Sequence, residues 1–137
     1  MQQRMTINKL YANIYQLREL NFLRMKWVGW AGVHPKNEAE KQELIEEYAK
    51  LDCVPVFCTP EMISRVLYYY EMVMSPLLHN FIGDFMNNAD LFRKDDWDVF
   101  RVFNEIIAAK VVEVATEGEI VWVHDNQLIL TPAVLRR

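Results

Sequence analysis

A chain of 137 residues with 52% hydrophobic and 25% charged residues fits one domain of ordinary size with a real core, since folding at this length buries roughly 70% of the unfolded surface. The net charge of −4, with Lys and Arg scattered rather than gathered into a basic stripe, argues against nucleic-acid binding. No apolar run approaches the roughly 20 residues that cross a bilayer, and the start, "MQQRMTINKL", lacks the hydrophobic centre of a signal peptide. A cytoplasmic protein without membrane contact is therefore the expectation.

In chain order, residues 5 to 23 carry Ile7, Leu10, Tyr11, Ile14, Leu17 and Leu20 at helical spacing, which predicts an amphipathic helix. "KWVGWAG" (26 to 32) is short, β-branched or aromatic and closed by Gly32, the pattern of a buried strand and its turn. Asn37 followed by Glu40 reads as a capping box for a charged, solvated helix over "AEKQELIEEYAKL". "CVPVFC" (53 to 58) repeats the strand pattern. Its Pro55 removes a ladder donor and so predicts an edge position. Thr59-Pro60-Glu61 combines a hydroxyl cap, a proline at the first helical position and an acid in the first turn. The helix it starts carries a stripe of Ile63, Val66, Leu67, Tyr70, Val73 and Met74, and Pro76 should end or kink it. Asp95 and Asp96 precede a long helix with Trp97, Phe100, Asn104, Ile107, Ala108, Val111 and Ala115 on one face, stopped by Gly118. "EIVWVHD" (119 to 125) reads as a third buried strand, and Thr131-Pro132 starts a last helical segment.

Strands separated by helices imply βαβ crossovers, hence an α/β fold with a parallel sheet and flanking helices. Such sheets bind ligands at the carboxyl ends of their strands. His124 and Asp125 fall at that end of the third strand. Within an extended "CVPVFC" the two cysteines point to opposite faces, about 16 Å apart, beyond disulfide reach, so both are expected as thiols. The histidines, His34, His79 and His124, have no second ligand at helical spacing, and no metal site is expected.

Asp125 is the leading candidate for chemistry, because a carboxylate at a strand end can accept hydrogen bonds from sugar hydroxyls or act as a base. The structural alternative is a cap, in which Asp125 or Asn126 satisfies donors of the following turn. His124 reads either as a proton carrier or as a structural residue beside a buried strand. "YYYEMVM" (68 to 74) could offer a stacking surface, although its spacing suits core packing. The four glycines form neither a dinucleotide fingerprint nor a P-loop, there is no GxSxG elbow, and no cofactor is implied.

Taken together, "KWVGWAGV" (26 to 33), "CVPVF" (53 to 57), "SPLLHNF" (75 to 81), the spacing of Trp97, Phe100, Asn104 and Ala108, and "EIVWVHDNQLILTPAVLR" (119 to 136) resemble trehalose-6-phosphate synthases. The resemblance runs over nearly the whole chain in the correct order. It implies residues 1–137 as an incomplete N-terminal domain of Rossmann-like, glycosyltransferase-B type. The family is a retaining glycosyltransferase that moves glucose from UDP-glucose to glucose 6-phosphate in trehalose biosynthesis. By the same resemblance Asp125 contacts the glucose 6-phosphate acceptor and His124 lines the cleft near the donor.

Three positions depart from the family pattern. Asn126 stands where the family keeps an aromatic residue, Ser75 falls at a pocket Trp and Val66 at a pocket Tyr, with Tyr68, Tyr69 and Tyr70 nearby. The family's first strand, its Gly-Gly loop and the second domain with its phosphate-binding Arg and Lys have no counterpart in the sequence. The isolated chain is therefore expected to be inactive, and its open sheet edge to favour self-association or a partner chain. A non-catalytic regulatory or assembly subunit derived from the family is the alternative.

Overall fold

The computed structural model describes residues 24–81, 83 and 91–137. The helix expected over residues 5 to 23 lies outside them. Two short parallel strands, β1 (Trp27–Trp30) and β2 (Cys53–Val56), pair in register from Trp27 opposite Cys53 to Trp30 opposite Val56. Pro55 sits opposite Gly29, and each strand has only the other as neighbour among the described residues, so the missing proline donor falls where no central ladder needs it. The crossover between them is α1 (Glu38–Ala49), started as the sequence predicts: the Asn37 side chain accepts from the Glu40 amide at 2.9 Å. No residue of α1 is buried, in keeping with its charge pattern.

α2 (Pro60–Tyr69) begins at Thr59, whose hydroxyl accepts from the Met62 amide at 3.2 Å. It buries Ile63, Val66 and Tyr69, then passes into a π-helical turn over Tyr70–Met74 that buries Val73, and continues as α3 (Ser75–Leu78). This corrects the expected stripe: Tyr69 is the core residue, Leu67 is exposed and Tyr70 only half-buried. Pro76 does not end the helix outright. Its missing amide and ring bulk are accommodated by the wider turn before it, in which the Ser75 amide reaches back to the Tyr70 carbonyl.

The longest element is α4 (Lys94–Val114), which buries Phe100, Phe103, Asn104, Ile107, Ala108 and Val111 along one face. Asp95 and Asp96 lie inside its first turn rather than ahead of it, where acids are favoured by the helix dipole. The helix ends at Val114, and Gly118, at φ +89°, closes the turn that follows. The core forms where α2 and α4 cross: Tyr69 lies 5.1 Å from Phe100 and 5.9 Å from Trp97 between ring centroids, against Val56, Cys58, Ile63 and Val66. Burying Phe100 completely is worth roughly 2–3 kcal/mol. Asp96, also fully buried, accepts from Arg65 Nε at 2.8 Å and Arg93 Nε at 2.7 Å, tying the start of α4 to α2. Arg93 in turn lies over the Tyr68 ring, 5.1 Å from its centre.

The third strand is the main correction. Residues 119–124 join no ladder among the described residues, and Ile120 and Trp122 are 95% and 69% exposed. An apolar run supplies the side chains of a strand, but a strand exists only where a neighbour takes up its backbone groups, and neither β1 nor β2 lies beside this segment as a partner. The chain then makes a 3-10 turn, Asn126–Leu128, and ends in α5 (Thr131–Leu135). Cys53 and Cys58 form no disulfide, and among the described residues no three His, Cys, Asp or Glu side chains converge to hold a metal and no helix is long and apolar enough to cross a membrane.

Candidate functional site

An open cleft of about 430 Å³ is lined by Tyr70, His124, Asp125, Asn126 and Gln127. Its size is within the range of small-molecule sites. Among the described residues two elements build it: the π-helical turn, which carries Tyr70, and the 3-10 turn, which touches it and carries Asn126 and Gln127. The aromatic run of the sequence is thereby divided. Tyr68 lies under Arg93, Tyr69 enters the core and Tyr70 faces the cleft. The wide π turn follows directly on Tyr69, and π turns of this kind are frequent at functional sites.

Asp125 occupies the junction between the ladder-free segment and the 3-10 turn, with φ +78° and ψ +140°. That conformation borders a region essentially reserved for glycine and costs of order 1–3 kcal/mol, which the surroundings must offset. Its carboxylate is 3.4 Å from His124 Nε2, so the two sequence candidates do meet, at a rim where Asp125 is exposed and His124 half-buried. The capping alternative for Asp125 is not what the geometry shows: its side chain makes no cap hydrogen bond to the 3-10 turn, although its carbonyl accepts from the Leu128 amide at 3.0 Å.

The residue that anchors this turn is Asn104, on the buried face of α4 and with no exposed surface. Its Nδ2 donates to the carbonyls of Phe100 at 2.9 Å and Gln127 at 3.0 Å. Its Oδ1 accepts from the amides of Leu130 at 3.2 Å and Thr131 at 3.1 Å and from the Thr131 hydroxyl at 2.9 Å. The sequence places Asn104 on the apolar stripe and assigns it nothing more. The signal was nevertheless present, because a carboxamide at a core position of a helix needs partners from another element. Tyr70 and Gln127 are likewise cleft residues that sequence reasoning did not single out as such. Val66, at the position of a pocket Tyr in the resemblance, is 2% exposed in the core, and Ser75 does not line the cleft.

An imidazole, a carboxylate, two carboxamides and a phenol offer donors and acceptors in several directions, a set suited to a ligand rich in hydroxyls. None of the described residues that line the cleft is a Lys or Arg. Outside this cleft, the Glu119 carboxyl accepts from the Thr116 amide at 2.7 Å and is held below the usual carboxylate range chiefly by that bond.

Fold and site together define a helix-rich α/β protein in which a small parallel sheet is flanked by helices and a polar, hydroxyl-matching cleft opens beside a clamped turn. The sequence profile of glycosyltransferase family 20 matches residues 2–137, and the chain belongs to that family. It is similar to UDP-forming alpha,alpha-trehalose-phosphate synthase 2 of Aspergillus niger, at 35% identity over 115 residues that make up 81% of this chain and 22% of that protein. It is also similar to the bifunctional trehalose-6-phosphate synthase/phosphatase of Thermoproteus tenax, at 32% over 123 residues, 87% of this chain and 16% of that protein. A probable UDP-forming alpha,alpha-trehalose-phosphate synthase 2 of Arabidopsis thaliana is 30% identical over 114 residues, 81% of this chain and 14% of that protein. The chain therefore spans about a fifth or less of the length of these relatives.

Proposed function

We propose that the chain forms part of the N-terminal, Rossmann-like half of a glycosyltransferase-B type enzyme of trehalose biosynthesis, and that its cleft takes the acceptor sugar. In the complete protein glucose would pass from UDP-glucose to glucose 6-phosphate. Asp125 accepts hydrogen bonds from acceptor hydroxyls, His124 lines the donor side, and Tyr70 supplies the aromatic wall that Val66, buried in the core, does not. The single observation behind this reading is Asp125 itself: a carboxylate kept in a costly backbone conformation at the rim of a polar cleft. On this reading the chain by itself does not transfer glucose, because a phosphorylated acceptor and a nucleotide-sugar donor need cations or oriented amides, and the described residues of the cleft lining include no Lys or Arg. A cytoplasmic location goes with this reading.

The test has two arms. The 137-residue chain, titrated with glucose 6-phosphate and with UDP-glucose, should show no saturable binding at millimolar ligand. A protein of the relatives' length carrying this sequence should release UDP in the presence of both substrates, and Asp125→Asn should lower kcat/KM for glucose 6-phosphate by about 10- to 100-fold, the loss expected for a hydrogen bond to a charged group. Tight binding by the short chain, or full activity of the Asn variant, overturns the assignment. A second reading, a non-catalytic regulatory or assembly subunit, is favoured by exposed Asn126 where the resemblance expects an aromatic. Absence of UDP release from the longer protein would decide for it.

A further inference from the structure

We infer that Asn104, which does not itself line the cleft, is the positioning residue that keeps Asp125 on the positive-φ side of its backbone and so aims the carboxylate into the cleft. Of its five hydrogen bonds, one returns to its own helix and four hold residues 127 to 131. Three of those four go to main-chain groups, at Gln127, Leu130 and Thr131, so they fix the path of the backbone whatever side chains it carries. The clamped stretch begins two residues after Asp125, and the Leu128 amide ties the Asp125 carbonyl into the same turn at 3.0 Å. Asp125 thus stands at the junction between the ladder-free segment and a turn whose position is set by the core of α4. A chain held at one end takes up the misfit at the next residue, and Asp tolerates positive φ better than most side chains. The use this positioning serves rests on the acceptor-site reading above; the positioning itself does not.

The experiment is NMR on the isotopically labelled 137-residue chain without ligand. A positive φ brings a residue's amide proton close to its own Hα, so Asp125 should give a strong intraresidue NOE, while the Leu130 and Thr131 amides should exchange as slowly as those in the middle of α4. In Asn104→Leu, with α4 amides still protected, the Asp125 NOE should fall to the level of its neighbours and the protection at Leu130 and Thr131 should be lost. In Thr131→Val, which leaves both backbone bonds to Asn104 Oδ1 in place, the NOE should persist. A strong NOE in folded Asn104→Leu would show that Asp125 holds its conformation by itself and would overturn the inference. Should that variant not fold, the unmodified chain still decides: a weak Asp125 NOE, or rapid exchange at Leu130 and Thr131, overturns it as well. A merely stabilising Asn104 would lower the unfolding midpoint without moving this NOE in the folded population. Because no sugar is present, failure of glucose 6-phosphate to act as acceptor leaves the result untouched.

Discussion

Replacing Asp125 by Gly should make the protein more stable than replacing it by Ala, although both lose the carboxylate and every interaction it makes. The comparison isolates the backbone. At φ +78° and ψ +140°, a side chain with a Cβ carries a strain of about 1–3 kcal/mol, which Gly does not. Against this, Gly loses more conformational freedom on folding, a penalty of roughly 0.5–1 kcal/mol. The difference leaves Asp125→Gly ahead of Asp125→Ala by about 0.5–2 kcal/mol, or roughly 2–8 °C in Tm at this chain length. Thermal melting followed by far-UV circular dichroism, with urea titration as a check on the slope, measures it. Should the two variants melt together, or Ala melt higher, the conformation at Asp125 is not strained and no carboxylate is held there against a cost. If the proposed acceptor role holds, Asp125→Gly should nevertheless lower kcat/KM for glucose 6-phosphate in a protein of the relatives' length, so that stability and function move in opposite directions.

Three further outcomes follow from the core and surface. Asp96→Ala should destabilise by about 1–3 kcal/mol, less than a stranded buried charge would cost, because Arg93 is exposed and Arg65 partly so and both can turn to water; at a urea slope of about 2 kcal/mol/M, a midpoint shift of about 0.5–1.5 M reads it. Burial pushes the Cys58 thiol up, so Cys53 should react first with a thiol-specific disulfide reagent near pH 8 and Cys58 only on unfolding. The raised folded value means that the contribution of the neutral thiol is intact below its unfolded value of about 8.5 and is lost as pH rises through the folded one, so stability should decline on the alkaline side; a flat profile from pH 8 to 10 would count against the burial. Ile120→Lys combined with Trp122→Lys should lower the tendency to self-associate seen by light scattering at high concentration, since these two side chains are large, apolar and exposed on a segment that joins no ladder among the described residues; an unmodified chain that is already monomeric at high concentration refutes the expectation.

Local chemistry wrote the parts of this protein that depend on neighbours within a turn. Asn37 and Glu40 start α1, Thr59 and Pro60 start α2, and the apolar spacing from Trp97 to Val111 sets the face of α4, because caps and helical periodicity act over three or four residues. The parallel pairing of "KWVGW" with "CVPV" was also legible, through a helix between two short apolar runs. His124 and Asp125 could be singled out from their place in the chain and from family resemblance, and the structure brings them within 3.4 Å.

What needed the tertiary structure involves residues far apart. "EIVWVHD" has the composition of a strand but joins no ladder among the described residues, and pairing is a property of two segments, never of one. Which of three consecutive tyrosines faces the cleft depended on the π turn before Pro76 and on where α4 meets α2. Asp96 reads in sequence as a helix-start acid and proves to be the buried counterion of two arginines, one of them 31 residues away. Asn104 is decisive in the same sense. The sequence alone determined that it lies on the inner face of a helix, whereas only the fold, by bringing residues 127 to 131 against that face, turned a single carboxamide into the clamp of the site. Hydrogen-bond partners of a buried polar group are supplied by whatever element packs on it, and that is decided by the whole chain.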